Sequence, residues 1–466
     1  MNKLIKKQIF GIILSILVLI SMFFITPPDG LSEAGLKSFM VLIAVVIMLI
    51  TEPLAFGVIC ILGLALLVIC GAAPNMNAAL SGYTNHILFF VLISFGISAA
   101  FTKVNLSKKL LMVLIKTFGF KSKNILFSVM LCAALLSSVM SNVASAAILM
   151  GVVNDILQLY PETERKAGAK SFMIGLPMAC IYGGMMTPAG NSLNLLVLDA
   201  LEKSAGLSVS FVEWMAIGIP MALFALLLSW LLLLRFFPPC DIAKEDIEAY
   251  IKENTKDKKL TASERYVLGV MIVLFALWVL SSWIPALNIT VVGIIGFTLF
   301  FIPKFNVLTW KDFTDSVSWP AFFLIGSMMS FGNILTENNV GQFLMQKVFV
   351  SVSAPGAGLA VFLCATFVSV MLVGVPIAPA LITMLAVPFI SLAECWGYSP
   401  VLLIMTLILC SVNSLHLPLD TVPLMTYMSG YYKMSDMTKV GVPVELCFNV
   451  VLAFWLPFVL KITNLS

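Results

Sequence analysis

The chain has 466 residues, 61% hydrophobic and 11% charged, with a mean hydropathy of +1.06. Soluble domains average about 45–50% apolar and about 25% charged residues, so 23 acidic and 27 basic side chains cannot cover a water-facing surface of this size. Disorder, a secreted disulfide scaffold and a soluble enzyme are excluded, and the solvent is a bilayer.

In chain order, MNKLIKKQ leads into an apolar run at 9–26. It has the charge of a signal peptide but no small-residue cleavage site, and many spans follow, so residues 1–30 read as an N-terminal anchor helix. Further apolar segments lie at 36–51, 53–71, 84–101, 125–150, 171–197, 213–236, 266–284, 288–303, 319–336, 357–392, 399–424 and 442–461. A spanning helix needs about 20 apolar residues. With 125–150 and 357–392 taken as re-entrant hairpins, eleven true spans remain. A cytoplasmic N-terminus then puts 23 Lys and Arg inside and leaves Lys37, Lys203, Lys347 and Lys461 outside, a strong positive-inside bias. The expected protein is an all-α, multi-pass protein of the plasma (cytoplasmic) membrane, with its C-terminus outside.

The polar stretch 237–264 reads as a cytoplasmic linker between a first half, 31–236, and a second, 265–466. SFGISAAFTKVN (94–105) resembles SFGNILTENNV (330–340), each closing a span and leading toward a hairpin. The odd number of crossings between these points makes the halves inverted-topology repeats. In transporters such repeats place a binding site near the midplane, where broken helices meet.

Polar residues inside the apolar runs mark that site. The first hairpin reads LLSSVMSNVASAAILMG (135–151), with Ser137, Ser138, Ser141, Asn142 and Ser145 at and around a tip whose backbone groups hydrocarbon cannot satisfy. These side chains either glue helices together or ligate a cation, while a helix N-terminus at the tip favours an anion. The next span contains GGMMTPAGNSLN (183–194), where Gly and Pro break the hydrogen-bond ladder beside Thr187, Asn191 and Asn194. The second half holds VGVPIAPALITMLAVP (373–388) and CSVNSLHLPLDTVPLMTY (410–427). Asp420 stands out there, since an intramembrane carboxylate is paired, solvated or functional. His416, one turn earlier, is a candidate partner for it or a titrating group. Glu52-Pro53 reads as a solvated turn, and His86 as the start of a span with no special chemistry.

At these residues the sequence resembles the divalent anion/sodium symporter family, the di- and tricarboxylate and sulfate carriers of the ion transporter superfamily. The likeness covers nearly the whole chain, including TEPLAFGV (51–58), SGYTNHILFFVLISFGISAAF (81–101) and LTASERYVLGVMIVLFALWVL (260–280). It implies a homodimer whose transport domains move as elevators, and Na+ as coupling ion, with H+ as the alternative. The family carries Ser-Asn-Thr at each hairpin tip and a Gly-Thr-Pro-Pro-Asn-like break in the next span. By resemblance, Ser137, Ser141, Asn142 and Gly190 ligate a first Na+. Ser141, Asn142 and Val143 at the tip, with Asn191 at the break, face substrate. Asn191-Ser192-Leu193-Asn194 replaces Thr-Pro-Pro-Asn there. In the second half the tip falls on Ala378, Pro379 and Ala380, which have no side-chain donors, and the break carries Asp420, Thr421 and Val422. Asp420 is thus expected to supply a cation ligand or a proton site, filled before the anion binds.

The expected function is secondary transport of a small dicarboxylate, citrate or sulfate-like anion. A cation-independent exchanger and an ion channel are the alternatives. An intramembrane enzyme is not expected, because His86 and His416 are the only histidines and no HExxH or GxSxG occurs. No organic cofactor, transition metal or P-loop is expected either. The nine cysteines form no CxxC and read as small buried apolar residues. With a net charge of +4 and no basic stripe, nucleic acid is not an expected partner.

Overall fold

The computed structural model describes the chain apart from residues 1–2, 255–258, 285, 306, 349–352, 375–377, 414, 419 and 466. Among the described residues there are 22 α-helices and no strand. A helix closes its backbone hydrogen bonds within its own segment, which is what an apolar solvent demands.

The chain opens with α1 (Lys3–Ser21), α2 (Glu33–Thr51), α3 (Phe56–Ile69), the short α4 (Met76–Ala79) and α5 (His86–Lys103). Glu52 adopts a left-handed turn (φ 52°) that ends α2, so Glu52-Pro53 is the exposed corner expected from sequence. Next come α6 (Leu106–Phe118), α7 (Ser122–Ser137), α8 (Asn142–Gln158), α9 (Glu162–Met185), α10 (Ser192–Ala205) and α11 (Phe211–Phe236). After them follow α12 (Lys244–Asn254), α13 (Ala262–Leu280), α14 (Ile289–Leu299), α15 (Trp310–Ser316), α16 (Trp319–Glu337) and α17 (Val340–Phe343). The last five are α18 (Ala357–Gly374), α19 (Ala378–Cys395), α20 (Pro400–Ser411), α21 (Thr421–Tyr427) and α22 (Met434–Ile462).

Among the described residues α2, α5, α11, α13, α19 and α22 are each long and apolar enough to cross a bilayer, and the pair α15 and α16, bent by 65°, makes a seventh candidate. The apolar helices α3, α7, α8, α14, α18 and α20 are shorter, with 10–17 described residues each. At 1.5 Å per residue the 16-residue α7 rises about 24 Å, less than a hydrocarbon core of about 30 Å. It turns at residues 138–141 and packs back through α8, so one apolar segment becomes two arms.

Large apolar side chains line the outside in rows at helical spacing. Examples are Leu223, Leu227 and Leu231 on α11, and Leu359, Leu363, Phe367 and Val370 on α18. Such rows would be an aggregation hazard in water and are what acyl chains require. The interior holds the two broken spans. Every residue from 171 to 190 is buried, as is every residue from 401 to 413. Around α9 pack α7, α8 and α11; around α20 pack α18, α19 and α22. The short helix beyond each break crosses over: α10 lies against α19 and α20, and α21 against α8 and α9.

The polar stretch 237–264 is not featureless. Its helix α12 buries Ile247 and Ile251 and docks near α6. The Tyr250 hydroxyl donates to Asp155 (3.3 Å), and burial, then the Asp155 carboxylate, pushes that hydroxyl above its ordinary pKa. Lys109 pairs with Glu264 at 2.6 Å, fixing the far end of the stretch.

Two glycines bring helices into close contact with neighbouring backbone. A Cβ on Gly183 would lie 2.2 Å from the Ala134 carbonyl oxygen, and one on Gly441 would lie 2.0 Å from that of Leu415. Backbone cannot yield as a side chain does, so Gly183→Ala or Gly441→Ala should destabilise by overpacking, about 1–3 kcal/mol or more. The expected result is a lower melting midpoint for either variant in fluorescence-detected size-exclusion. Gly151→Ala and Gly269→Ala, which meet nothing within 4 Å, should leave it in place.

Candidate functional site

The first break lies between α9 and α10, through one 3-10 turn at Pro188–Gly190. Pro188 cannot continue the α9 ladder, so the last carbonyls of α9 need donors from elsewhere. Side chains provide them. Trp214 Nε1 on α11 donates to Met185 O (3.0 Å), and Asn194 Nδ2 donates to both Gly184 O (2.8 Å) and Thr187 O (2.9 Å). Thr187 in turn donates its hydroxyl to Ser138 O, tying the break to the hairpin tip.

The tip and the break touch because glycines let them. A Cβ on Gly184 would sit 2.5 Å from Asn142 Oδ1, and one on Gly190 would sit 2.9 Å from both Ser137 O and Gly184 O. Ser137, Asn142, Gly184 and Gly190 are therefore brought together, and Ser137, Asn142 and Gly190 are three of the four residues read from the sequence as first-cation ligands. Ser141, the fourth, precedes α8 by one residue, and its backbone N–H donates to Ser98 Oγ on α5 (3.2 Å). Val143 is exposed. Asn191 caps α10, its Oδ1 accepting from Leu193 N at 3.1 Å.

Four buried oxygens around this crossing lack a hydrogen-bond partner: Ser137 Oγ, Asn142 Oδ1, Ser145 Oγ and Asn194 Oδ1. The Cys180 thiol lies beside the Ser137 hydroxyl. An orphaned buried oxygen is costly, and several together form a natural environment for a hard cation. Hydroxyl, amide and carbonyl oxygens are the donor set that Na+ takes.

The second break differs. Residues 375–377, at the second tip, lie outside the described residues, as do Ser414 and Leu419. Ala378, Pro379 and Ala380 form the first turn of α19, with Ala380 fully buried. Asp420 caps α21, its carboxylate accepting from its neighbour Thr421 N at 2.7 Å. Thr421 is exposed and Val422 buried. No hydrogen bond or ion pair among the described residues joins Asp420 to the first tip.

His416, read from the sequence as a candidate partner of Asp420 or a titrating group, has a different carboxylate beside it. His416 Nδ1 lies 3.0 Å from Glu445 Oε2 on α22, and both side chains are buried. The i, i+4 spacing brings side chains together only on a helix, and the described residues among 412–420 are not helical. Glu445 was not singled out in sequence, although it is a lone carboxylate in the apolar run 442–461. The argument applied to Asp420 would have found it. Its Oε1, like Ser411 Oγ and both amide atoms of Asn413, has no partner.

A cavity of about 490 Å³ opens elsewhere, bordered by Thr84, Asn85, His86, Asp199, Lys203 and Asn333. Asp199 is buried, pairs with Lys203 at 3.1 Å and accepts from Asn85. Next to it a narrow slot runs between α10, α16 and α19, past Leu196, Met329 and Ala386. Free cysteines are mostly buried, and among the described residues no His, Cys, Asp and Glu cluster could hold a metal ion.

The chain belongs to the sodium:sulfate symporter family, whose transmembrane-region model matches residues 6–460. It is 24% identical over 472 residues to the sodium-dependent dicarboxylate transporter SdcS of Staphylococcus saprophyticus, covering 96% of this chain and 90% of that one. It is 23% identical over 476 residues to the L-tartrate/succinate antiporter of Escherichia coli (strain K12), covering 93% and 95%. In fold it is similar to the YdaH transporter of Alcanivorax borkumensis, with TM-score 0.57, 14% identity and coverage of 79% and 85%. The resemblance read from the sequence is thereby shown. The chain is a polytopic membrane protein of an anion-transporter family, and the family and these relatives are transporters, not enzymes.

The carbonyl accounting at the first break is testable. Asn194→Ala removes the one side chain that serves both Gly184 O and Thr187 O. Stability should fall by about 1–3 kcal/mol, read as a lower thermal midpoint in detergent. An unchanged midpoint would mean that water already reaches both carbonyls.

Proposed function

We propose that this member of the sodium:sulfate symporter family is a secondary active transporter. It moves a small anion of the dicarboxylate, citrate or sulfate class across the plasma membrane, coupled to Na+ or H+. The observation that carries this reading is the set of four orphaned oxygens, on Ser137, Asn142, Ser145 and Asn194, where a hairpin tip meets a broken helix. Ser137, Ser141, Asn142 and Gly190 hold the first cation, and Asp420 contributes to a second site. Substrate lies between Ser141, Asn142, Val143 and Asn191 on one side and Ala378, Pro379, Ala380, Thr421 and Val422 on the other. The N-termini of α8, α10 and α19 direct backbone N–H groups and the positive ends of their dipoles toward an anion there.

A cation at the tip does two things in this scheme. It satisfies oxygens that otherwise stay unpaired, which stiffens the tip, and it neutralises the field that an anion carboxylate must enter. Anion binding therefore follows cation binding, and the loaded site is the one that crosses. Eleven spans and two hairpins in inverted repeats, with a cytoplasmic N-terminus and an external C-terminus, fit the lysine distribution. The reciprocal crossing of α10 and α21 favours two halves moving as one transport body against a scaffold, in the elevator manner of a homodimer. Exchange without a cation is the second reading, favoured by the likeness to an antiporter over nearly the whole chain.

A thermal-shift panel of succinate, malate, citrate and sulfate, each with and without Na+, tests the reading. Stabilisation by one anion only when Na+ is present supports symport; equal stabilisation without Na+ favours exchange. Asn142→Ala should weaken Na+ activation of uptake by about 10–100-fold, since a lost contact to a charged group is worth about 1.5–3 kcal/mol. An unaltered Na+ dependence would make the tip purely structural. Asp420→Asn should abolish or uncouple uptake in proteoliposomes, and undiminished, equally cation-dependent uptake would remove Asp420 from the mechanism.

A further inference from the structure

We propose that the buried His416–Glu445 pair is a proton-binding site, through which the second half of the transporter takes up a proton where the first half takes a metal cation. This rests on the transport reading above. His416 Nδ1 and Glu445 Oε2 are 3.0 Å apart, with the two residues 8% and 6% exposed. Glu445 Oε1 has no hydrogen-bond partner, so the carboxylate is only half satisfied. Among the described residues no lysine or arginine lies within salt-bridge distance of Glu445.

The charge balance follows from these contacts. With imidazole neutral, the pair buries one uncompensated negative charge. One added proton converts it to imidazolium and carboxylate, with no net charge. An unpaired charge in an apolar interior is strongly disfavoured, so the protonated pair is the form that can cross buried.

The surroundings offer no other compensation. On α20 the neighbour is the Cys410 thiol, with Cys364 of α18 beyond it, and on α9 it is the Tyr182 phenol. On α11, Ser229 only hydrogen-bonds that phenol at 2.9 Å. Down α22, Asp436 is matched by Lys170 at 3.1 Å, with Lys439 close to it, and Asp420 lies four residues beyond His416. All of these are neutral groups, carboxylates or already matched charges, apart from Lys439 near Asp436.

The pair also sits where a proton can change geometry. Thr438 donates to His416 O at 2.7 Å, and Gly441 lets α22 press directly on Leu415 O. The backbone of the second break thus rests on the helix that carries Glu445. Loading the pair draws break and helix together; unloading it releases them.

The test uses proteoliposomes with equal Na+ on both sides and the potential clamped by valinomycin and K+. Radiolabelled succinate is the probe, with about pH 7 outside and about pH 8 inside. One proton per anion makes a one-unit gradient worth about tenfold accumulation. Wild type should accumulate accordingly, and Glu445→Gln should ignore the gradient while still exchanging succinate above background. Accumulation by Glu445→Gln equal to wild type would overturn the proposal, as would wild-type uptake that responds to Na+ but not to the pH gradient. If Glu445→Gln does not exchange, His416→Gln carries the same test. Loss of exchange in both variants, at acid and alkaline pH alike, assigns the pair to folding and overturns the proposal. Absence of any succinate, malate, citrate or sulfate exchange in wild type would instead refute the transport reading.

Discussion

The structure depends on one constraint: two helices, α9 and α20, end among buried residues, where their last carbonyls have no continuing helix to serve them. Every carbonyl freed by the breaks must find a donor inside the protein. At the first break the donors are specific side chains, Trp214 for Met185 and Asn194 for Gly184 and Thr187. The glycines at 183, 184 and 190 let α9 and the break approach the Ala134 backbone, the Asn142 side chain and Ser137 O at very short range. The same constraint leaves a remainder. Four side-chain oxygens are carried into the crossing and left unpaired, and that remainder is what a ligand would use.

The two halves meet the constraint differently. The first half uses neutral oxygens throughout. The second places a carboxylate, Glu445, and an imidazole, His416, beside its break, and keeps Asp420 as a helix cap. Charges elsewhere are mostly paired at helix ends, as with Lys109 and Glu264 or Lys170 and Asp436. A chain with so few charges cannot leave one in its interior without a role, which makes a buried acid and base pair informative.

Much of this was legible in the sequence. Each long apolar segment carries a helix, and the interruptions at Ser137–Asn142 and Thr187–Asn194 are where helices stop, because Gly, Pro and amides inside an apolar run have few structural uses other than a break. What escaped was tertiary. The helix α6 lies outside every apolar segment picked out in the sequence, although Leu111, Met112 and Ile115 are spaced as one helical face. His416 was read as a candidate partner of Asp420 or a titrating group, whereas it lies against Glu445 of α22. Asn194 was read as a polar interruption, yet its amide holds two carbonyls that no sequence pattern could assign to it. Glu445 was overlooked because it lies outside any recognised motif.

The reciprocal crossing of the short helices has a consequence for assembly. The helix α21 packs against α8 and α9, which leave the ribosome long before it, with the whole stretch from Met185 to Thr421 in between. Until α21 arrives, the surfaces of α8 and α9 that it covers face lipid or a chaperone, with the polar tip between them. The first half therefore cannot reach its final packing during its own synthesis, and its last contacts wait for the end of the chain. A chain truncated before α21 would lack the helix that covers α8 and α9.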